Sequence, residues 1–235
     1  MAALVCAVRS KLEARELGRH AEMSRFDLVI FDCDGVLVDS EPITMRVLTQ
    51  MLNEMGATLT VEETMRQYVG KSLRDGHPIT RELIGRDLPS EFYDAFVMRR
   101  DEALLEAIEP VAHVHTALLQ LRLPYAVASG ADTEKMRLTL GRTNLLSLFE
   151  QRLFSASMVA RSKPAPDVYL LAARTLGAAA ERCVVIEDTA TGVTAGVAAG
   201  MTVLGYCERQ EPRALLAAGA SAVFSDMRQL PILIA

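Results

Sequence analysis

A chain of 235 residues, half of them hydrophobic, has room for one large core with an insert, and no apolar run reaches membrane-spanning length. The net charge of -5 argues against a broad electropositive surface for nucleic acid, while leaving room for a small basic pocket. The four scattered cysteines, Cys6, Cys33, Cys183 and Cys207, form no zinc spacing and fit a reducing, cytoplasmic setting.

In chain order, the opening "MAALVCAVRSKLEARELGRHAEM" starts apolar and turns charged, the reverse of a secretory signal. It reads as an N-terminal extension over 1–23, either disordered or peripheral, or a short amphipathic helix. "FDLVIF", Phe26 to Phe31, then reads as a buried strand that runs into Asp32-Cys33-Asp34-Gly35. From Glu41 to Pro110 no strand is expected. Ile43, Val47, Met51 and Met55 recur every four residues up to Gly56 and predict one helix. Thr60 to Tyr68 predicts a second, and Ser90 to Leu105 a third with Phe92, Phe96 and Leu104 on its apolar side. "YVGKSLRDGHPITR" reads as a polar junction between helices, carrying Lys71, Ser72, Arg74 and His77.

Beyond Pro110 strands and helices alternate. A helix from Val111 precedes the strand "YAVAS", Tyr125 to Ser129, and a helix capped by Asp132 follows it. "LFSAS" from Leu153 offers a short strand. Pro166 to Gly177 has a proline start and a glycine stop. "CVVIE", Cys183 to Glu187, is a further strand, followed by the small-residue helix Thr191 to Gly200. "MTVLGY" from Met201 and "SAVF" from Ser221 complete the series. This alternation predicts an α/β fold: an open, mostly parallel, three-layer Rossmann-like core. The core takes 24–40 and 111–235. The helical stretch 41–110 is its inserted cap, hinged near Glu41-Pro42 and Pro110 and seated over the carboxyl ends of the strands.

Those ends are polar. Asp32 and Asp34 follow the first strand, Ser129 and Gly130 end the second, Glu187 and Asp188 end the third strong one, and Lys163 lies in the "RSKPAPD" loop. Carboxylates converging from neighbouring strands repel unless a cation intervenes, and oxygen ligands suit a hard divalent ion such as Mg²⁺. With a lysine and a hydroxyl nearby, the set suits a phosphate group: one carboxylate can attack phosphorus and a second can handle the leaving-group proton.

"DCDGVLVDSE", "ASG", "SKPAPDVY" and "VVIEDTATGVTAG", in that order, resemble the haloacid dehalogenase-like superfamily, in its sugar-phosphatase and β-phosphoglucomutase-like branch with a helical cap. The resemblance spans about Asp27 to Tyr206. It implies that Asp32 forms an aspartyl-phosphate and that Asp34 serves as acid and then base. It further implies that Ser129, Gly130 and Lys163 hold the phosphoryl group, and that Mg²⁺ is held by Asp32, the Asp34 carbonyl and Asp188, with Glu187 close by. The implied activity is hydrolysis of a small phosphorylated sugar or related metabolite, with no nucleic-acid or membrane partner and the oligomeric state left open between monomer and weak oligomer.

Two departures bear on this. Thr44 stands where mutase-like members place a hinge histidine, which favours hydrolysis over the alternative hexose-1-phosphate mutase. Gly130 replaces a frequent asparagine. A non-enzymatic phosphometabolite-binding domain is the second alternative, disfavoured by the intact acids. Substrate choice is assigned to the cap side, to Glu41, Lys71 and Arg74. Met45, Met51 and Met55 are expected to pack, and His20, His113 and His115 to lie outside the site.

Overall fold

The structure, a computed structural model, describes residues 25–68, 77–149 and 151–235. The proposed extension over 1–23 lies outside them, as do Lys71, Ser72 and Arg74. The sheet carries six parallel strands: β1 (Leu28–Phe31), β2 (Tyr125–Ser129), β3 (Leu153–Ser155), β4 (Cys183–Glu187), β5 (Thr202–Tyr206) and β6 (Ala222–Phe224). Their order is β3-β2-β1-β4-β5-β6. The order reverses at β1, which pairs with β2 on one side and β4 on the other, so the crevice for a ligand opens above their carboxyl ends.

β1 shows why this sequence makes a central strand. All four of its residues are buried. Val29 and Phe31 belong to an apolar cluster on one face, with Val127, Val184 and Ile186; Leu28 and Ile30 belong to the cluster on the other, with Ala126, Ala128 and Val185. A run that is apolar at every position is what a parallel sheet covered on both faces requires.

Between β1 and β2 the chain forms α1 (Glu41–Glu54), α2 (Val61–Tyr68), α3 (His77–Ile84), α4 (Phe92–Ala107) and α5 (Val114–Gln120). The first four supply the helical cap. Met45, Leu48, Leu52, Tyr68, Phe92 and Phe96 form its own apolar cluster. Two helices reach out of it, since Ile43 of α1 and Leu104 of α4 pack in the main core. Hydroxyl pairs tie the cap internally, Thr49 to Thr64 at 2.8 Å and the Tyr68 phenol to Thr80 at 2.7 Å.

The local readings differ in places. The polar junction includes the start of α3, a helix the reading did not foresee. In α1 the buried side chains are Ile43, Met45, Leu48, Thr49, Met51 and Leu52, rather than a single four-residue stripe. That helix is packed on more than one side, which broadens its buried arc beyond a single row. The helix expected from Val111 begins at Val114, after His113 in the left-handed region at φ 64°.

Two chain segments join cap and core, and they lie side by side. The Asp39 amide donates to the Glu109 carbonyl and the Val111 amide to the Leu37 carbonyl, each at 3.0 Å, around an antiparallel bridge between Val38 and Pro110.

The second half of the chain adds α6 (Thr133–Arg142), α7 (Leu146–Phe149), α8 (Asp167–Thr175), α9 (Ala190–Ala198), α10 (Pro212–Ala217) and α11 (Leu230–Leu233). α6 starts as expected on Asp132, whose carboxylate accepts from the Lys135 amide. Among the described residues no helix is long and apolar enough to cross a membrane.

Candidate active site

The strand register decides which side chains meet. Asp32 follows β1 directly, and its amide donates to the Ile186 carbonyl at 2.9 Å, one residue before Glu187 ends β4. Ser129 ends β2 on the other side of β1. The loop between β3 and α8 then delivers Lys163. Its Nζ donates to Asp32 Oδ1 at 2.7 Å, Glu187 Oε1 at 2.8 Å and the Ala128 carbonyl at 3.1 Å. The ammonium also lies 4.6 Å from the centre of the Tyr169 ring, a cation–π distance.

Glu187 is fully engaged. One oxygen accepts from Lys163 and from the Tyr169 hydroxyl at 3.0 Å; the other accepts from the Thr189 amide and hydroxyl at 2.8 and 2.9 Å. The glycine that starts the next turn makes room for it. A Cβ on Gly192 would fall 1.6 Å from Glu187 Oε1. Asp188 differs: its Oδ1 is buried and has no hydrogen-bond partner among the described residues. Gly35, at φ 77°, lets the chain fold close over Asp188, where a Cβ would sit 2.1 Å from Oδ2.

Asp32, Glu187 and Asp188 each offer an oxygen, all within 4.8 Å of one another. Burial, reinforced by Glu187 and opposed by Lys163, pushes the Asp32 carboxyl up to about 7. Burial pushes Asp188 well above the carboxylate range, with Glu187 and Asp32 adding to it. Burial works against the charge on Lys163 too, but Asp32 and Glu187 overrule it and hold the ammonium protonated. Crowded acids around a single lysine, with one orphaned oxygen, fit a divalent cation: the offered ligand atoms are hard oxygens, and three carboxylates face one ammonium. Glu187, with both oxygens occupied, is suited to holding Lys163 and the start of α9, and Asp188 to offering the free oxygen.

Asp34 has partners of its own. Its Oδ2 accepts from Lys135 Nζ at 2.8 Å and its Oδ1 from the Ser40 hydroxyl. Burial opposes ionisation, but Lys135 and Ser40 hold the carboxyl below its ordinary value. Ser129 Oγ accepts from the Ala131 amide at 3.1 Å, which leaves its own hydrogen to donate. Beside Gly130 there is open space.

A cleft of about 820 Å³ runs from these groups to the underside of the cap. Asp32, Asp34, Glu41, Ser129, Gly130 and Lys163 line it from the core side and linker; Thr44, Met45, Leu48, Tyr68, Phe96 and Arg100 line it from the cap. Glu41 therefore faces the cleft, and burial together with Asp34 pushes its carboxyl to about 7. Asp39 turns away to an ion pair with Arg209 at 2.5 Å. His113 and His115 do not line the cleft; His115 Nε2 pairs with the Thr143 carbonyl at 3.0 Å.

Lys135, Arg100, Ser40, Tyr169 and Thr189 were not singled out in the sequence. Ser40, Tyr169 and Thr189 stand inside the quoted motifs, so their signal was present. Lys135 looks like any solvated lysine in the first turn of an amphipathic helix. Arg100 had a usable signal, a lone cation on the apolar side of α4, in step with Phe96 and Leu104.

Comparison with known proteins agrees with this geometry. The profile of the haloacid dehalogenase-like hydrolase family matches residues 26–200. The 6-phosphogluconate phosphatase of Escherichia coli is 32% identical over 216 residues, covering 89% of this chain and 95% of that protein. The phosphorylated carbohydrates phosphatase of Thermotoga maritima is 30% identical over 213 residues, covering 88% and 98%. The crystal structure of a conserved haloacid dehalogenase-like protein from Agrobacterium tumefaciens superposes with a TM-score of 0.82 at 32% identity, covering 89% of this chain and 97% of that one.

Proposed function

This chain belongs to the haloacid dehalogenase-like hydrolase family, with the build of a phosphoric monoester hydrolase, and we propose that it hydrolyses a small phosphorylated sugar or related metabolite through an aspartyl-phosphate on Asp32. The observation that carries this reading is the meeting of Asp32, Lys163, Glu187 and Asp188 at the switch point of the sheet, with Asp34 beside them in one cleft.

In this mechanism Lys163 ties down Oδ1 of Asp32, so Oδ2 attacks phosphorus. The P–O bond to the alcohol breaks, and Asp34 delivers a proton to the departing oxygen. Asp34 then takes a proton from water as that water attacks phosphorus, which frees inorganic phosphate and restores Asp32. Lys135 and Ser40 favour the ionised form of Asp34, which suits the base half of this cycle, and the proton it delivers in the acid half is the one it took from water in the turnover before. The Ser129 hydroxyl and the open backbone at Gly130 receive the phosphoryl oxygens, and Lys163 supplies positive charge beside them, exchanging one of its present partners for a phosphoryl oxygen. Asp32, Asp188 and the Asp34 carbonyl, with Glu187 behind them, are the groups that would hold Mg²⁺. When bound, the ion supplies positive charge that offsets phosphate and carboxylates together.

The relatives named for 6-phosphogluconate and for phosphorylated carbohydrates support a sugar-phosphate substrate, and the cleft volume suits a molecule of that size. Thr44 lines the cleft, its hydroxyl oxygen is buried, and it carries no group that titrates near neutrality, which supports hydrolysis over isomerisation. The cap over 41–110 is read as the lid that closes on substrate, and the free thiols of Cys33, Cys183 and Cys207 support a cytoplasmic setting. Phosphate release from a panel of sugar phosphates should require Mg²⁺ and fall at least about a thousandfold in Asp32→Asn. Wild-type turnover in that variant refutes the covalent route.

A further inference from the structure

Two cations in the cleft carry N–H donors that the chemistry above does not use. Lys135 enters from α6 with a side chain only 12% exposed, and gives one of its three N–H donors to Asp34 Oδ2. Arg100 enters from the cap helix α4, its side chain 10% exposed, and spends Nε and Nη2 on a single oxygen of Asp101. Its guanidinium carbon lies 5.9 Å from the Phe96 ring centre. Neither side chain has a further hydrogen-bond partner among the described residues. α4 and α6 are tied together by the Arg142 Nε bond to the Leu105 carbonyl at 2.8 Å, and both cations line the same cleft within electrostatic reach of Asp34. The phosphoryl end of the cleft already has its own lysine, Lys163, so these unspent donors serve the other end, where the alcohol portion of a substrate lies. Buried cations with spare donors call for an anion.

We propose that Lys135 and Arg100 form a subsite for a second anionic group on the substrate, a carboxylate or a second phosphate, and so select a phosphorylated sugar acid or a sugar bisphosphate over a neutral sugar phosphate. This rests on the hydrolase reading and names its substrate class. The subsite draws one wall from the core and the other from the cap, so a doubly anionic substrate draws the two together.

The test compares kcat/KM for three probes of matched length: a phosphorylated aldonic acid, the corresponding hexitol phosphate and a sugar bisphosphate. The wild type should favour one of the two anionic probes over the hexitol phosphate. In Lys135→Met and in Arg100→Met that preference should shrink at least about tenfold, whatever happens to the absolute rates. Arg100→Lys should retain most of it and controls for folding, since it keeps the charge on the same helix. Which anionic probe loses most identifies the second group. A wild type without preference, or a preference unchanged in both methionine variants, overturns the subsite. Asp32→Asn separates the two failures: if it abolishes release from every probe while the preference survives in both methionine variants, the hydrolase reading stands and only the subsite falls.

Discussion

The floor and the roof of the cleft are built on opposite principles. The floor is a knot of buried charges at strand ends, where every Glu187 oxygen and all the donors of Lys163 are committed to named partners. The roof is Met45, Leu48, Tyr68 and Phe96, side chains that also pack the cap's own cluster, with one cation among them. A charged group works only where its partners fix it to within a fraction of an ångström, and strands buried on both faces provide that stiffness. An apolar contact tolerates adjustment, so it can sit on a lid. In the proposed mechanism the floor therefore decides which bond breaks, and the roof decides which molecule arrives.

The sharpest way to break this contrast is Lys163→Met, which strips the floor of its central cation and leaves Asp32 and Glu187 facing each other in a buried site. Phosphate release should fall at least about a hundredfold, and urea unfolding should show a loss of about 3 kcal/mol. A variant with normal stability would mean that the carboxylates need no lysine to coexist.

A change in the roof should act differently. Phe96→Leu keeps the cap apolar but alters the shape over the cleft. It should shift the kcat/KM ratio between sugar phosphates of different size by about tenfold and leave the pH profile of kcat in place. A uniform fall in kcat for every substrate would move Phe96 from selection to chemistry.

The smallest expected effect concerns protons. An unfolded aspartate titrates at about 4, while burial lifts Asp32 to about 7 and Asp188 upward as well. Through that window the folded protein holds protons that the unfolded chain has lost, so these groups make stability fall as pH rises. In EDTA the melting temperature should carry this downward contribution between about pH 5.5 and about pH 8. Mg²⁺ should raise the melting temperature more at the higher pH, by a further 3 °C or so, roughly 1 kcal/mol in a chain of this size. An equal Mg²⁺ effect at both pH values would show that the ion does not neutralise these acids.

The same contrast governed what the sequence revealed. Tyr125 to Ser129 and Cys183 to Glu187 were expected as strands with the bounds the structure has, because a short apolar run ending in a polar residue has few alternatives. Asp32, Lys163 and Glu187 were legible because each stands next to such an end or in a loop with a recognisable motif. The cap was legible only as helices. α3 was missed because "HPITRELI" is preceded by a charged, glycine-containing stretch and has only Ile79, Leu83 and Ile84 to mark a face. Lys135 was missed for a deeper reason. Nothing local distinguishes it from a solvated lysine, and it becomes part of a site only when α4 packs on α6 and the β1 loop brings Asp34 within 2.8 Å.

The side-by-side linkers carry one more consequence. Ser40, which holds Asp34, is also the residue on which α1 begins, and Val38 pairs both with Pro110 and with the Asp34 turn. Any swing of the helices about that crossing would drag on the tether of Asp34, the carboxylate proposed to handle protons. Admission of a guest and the aim of that side chain are geared through the same few bonds, so a lid left ajar is also a safety catch.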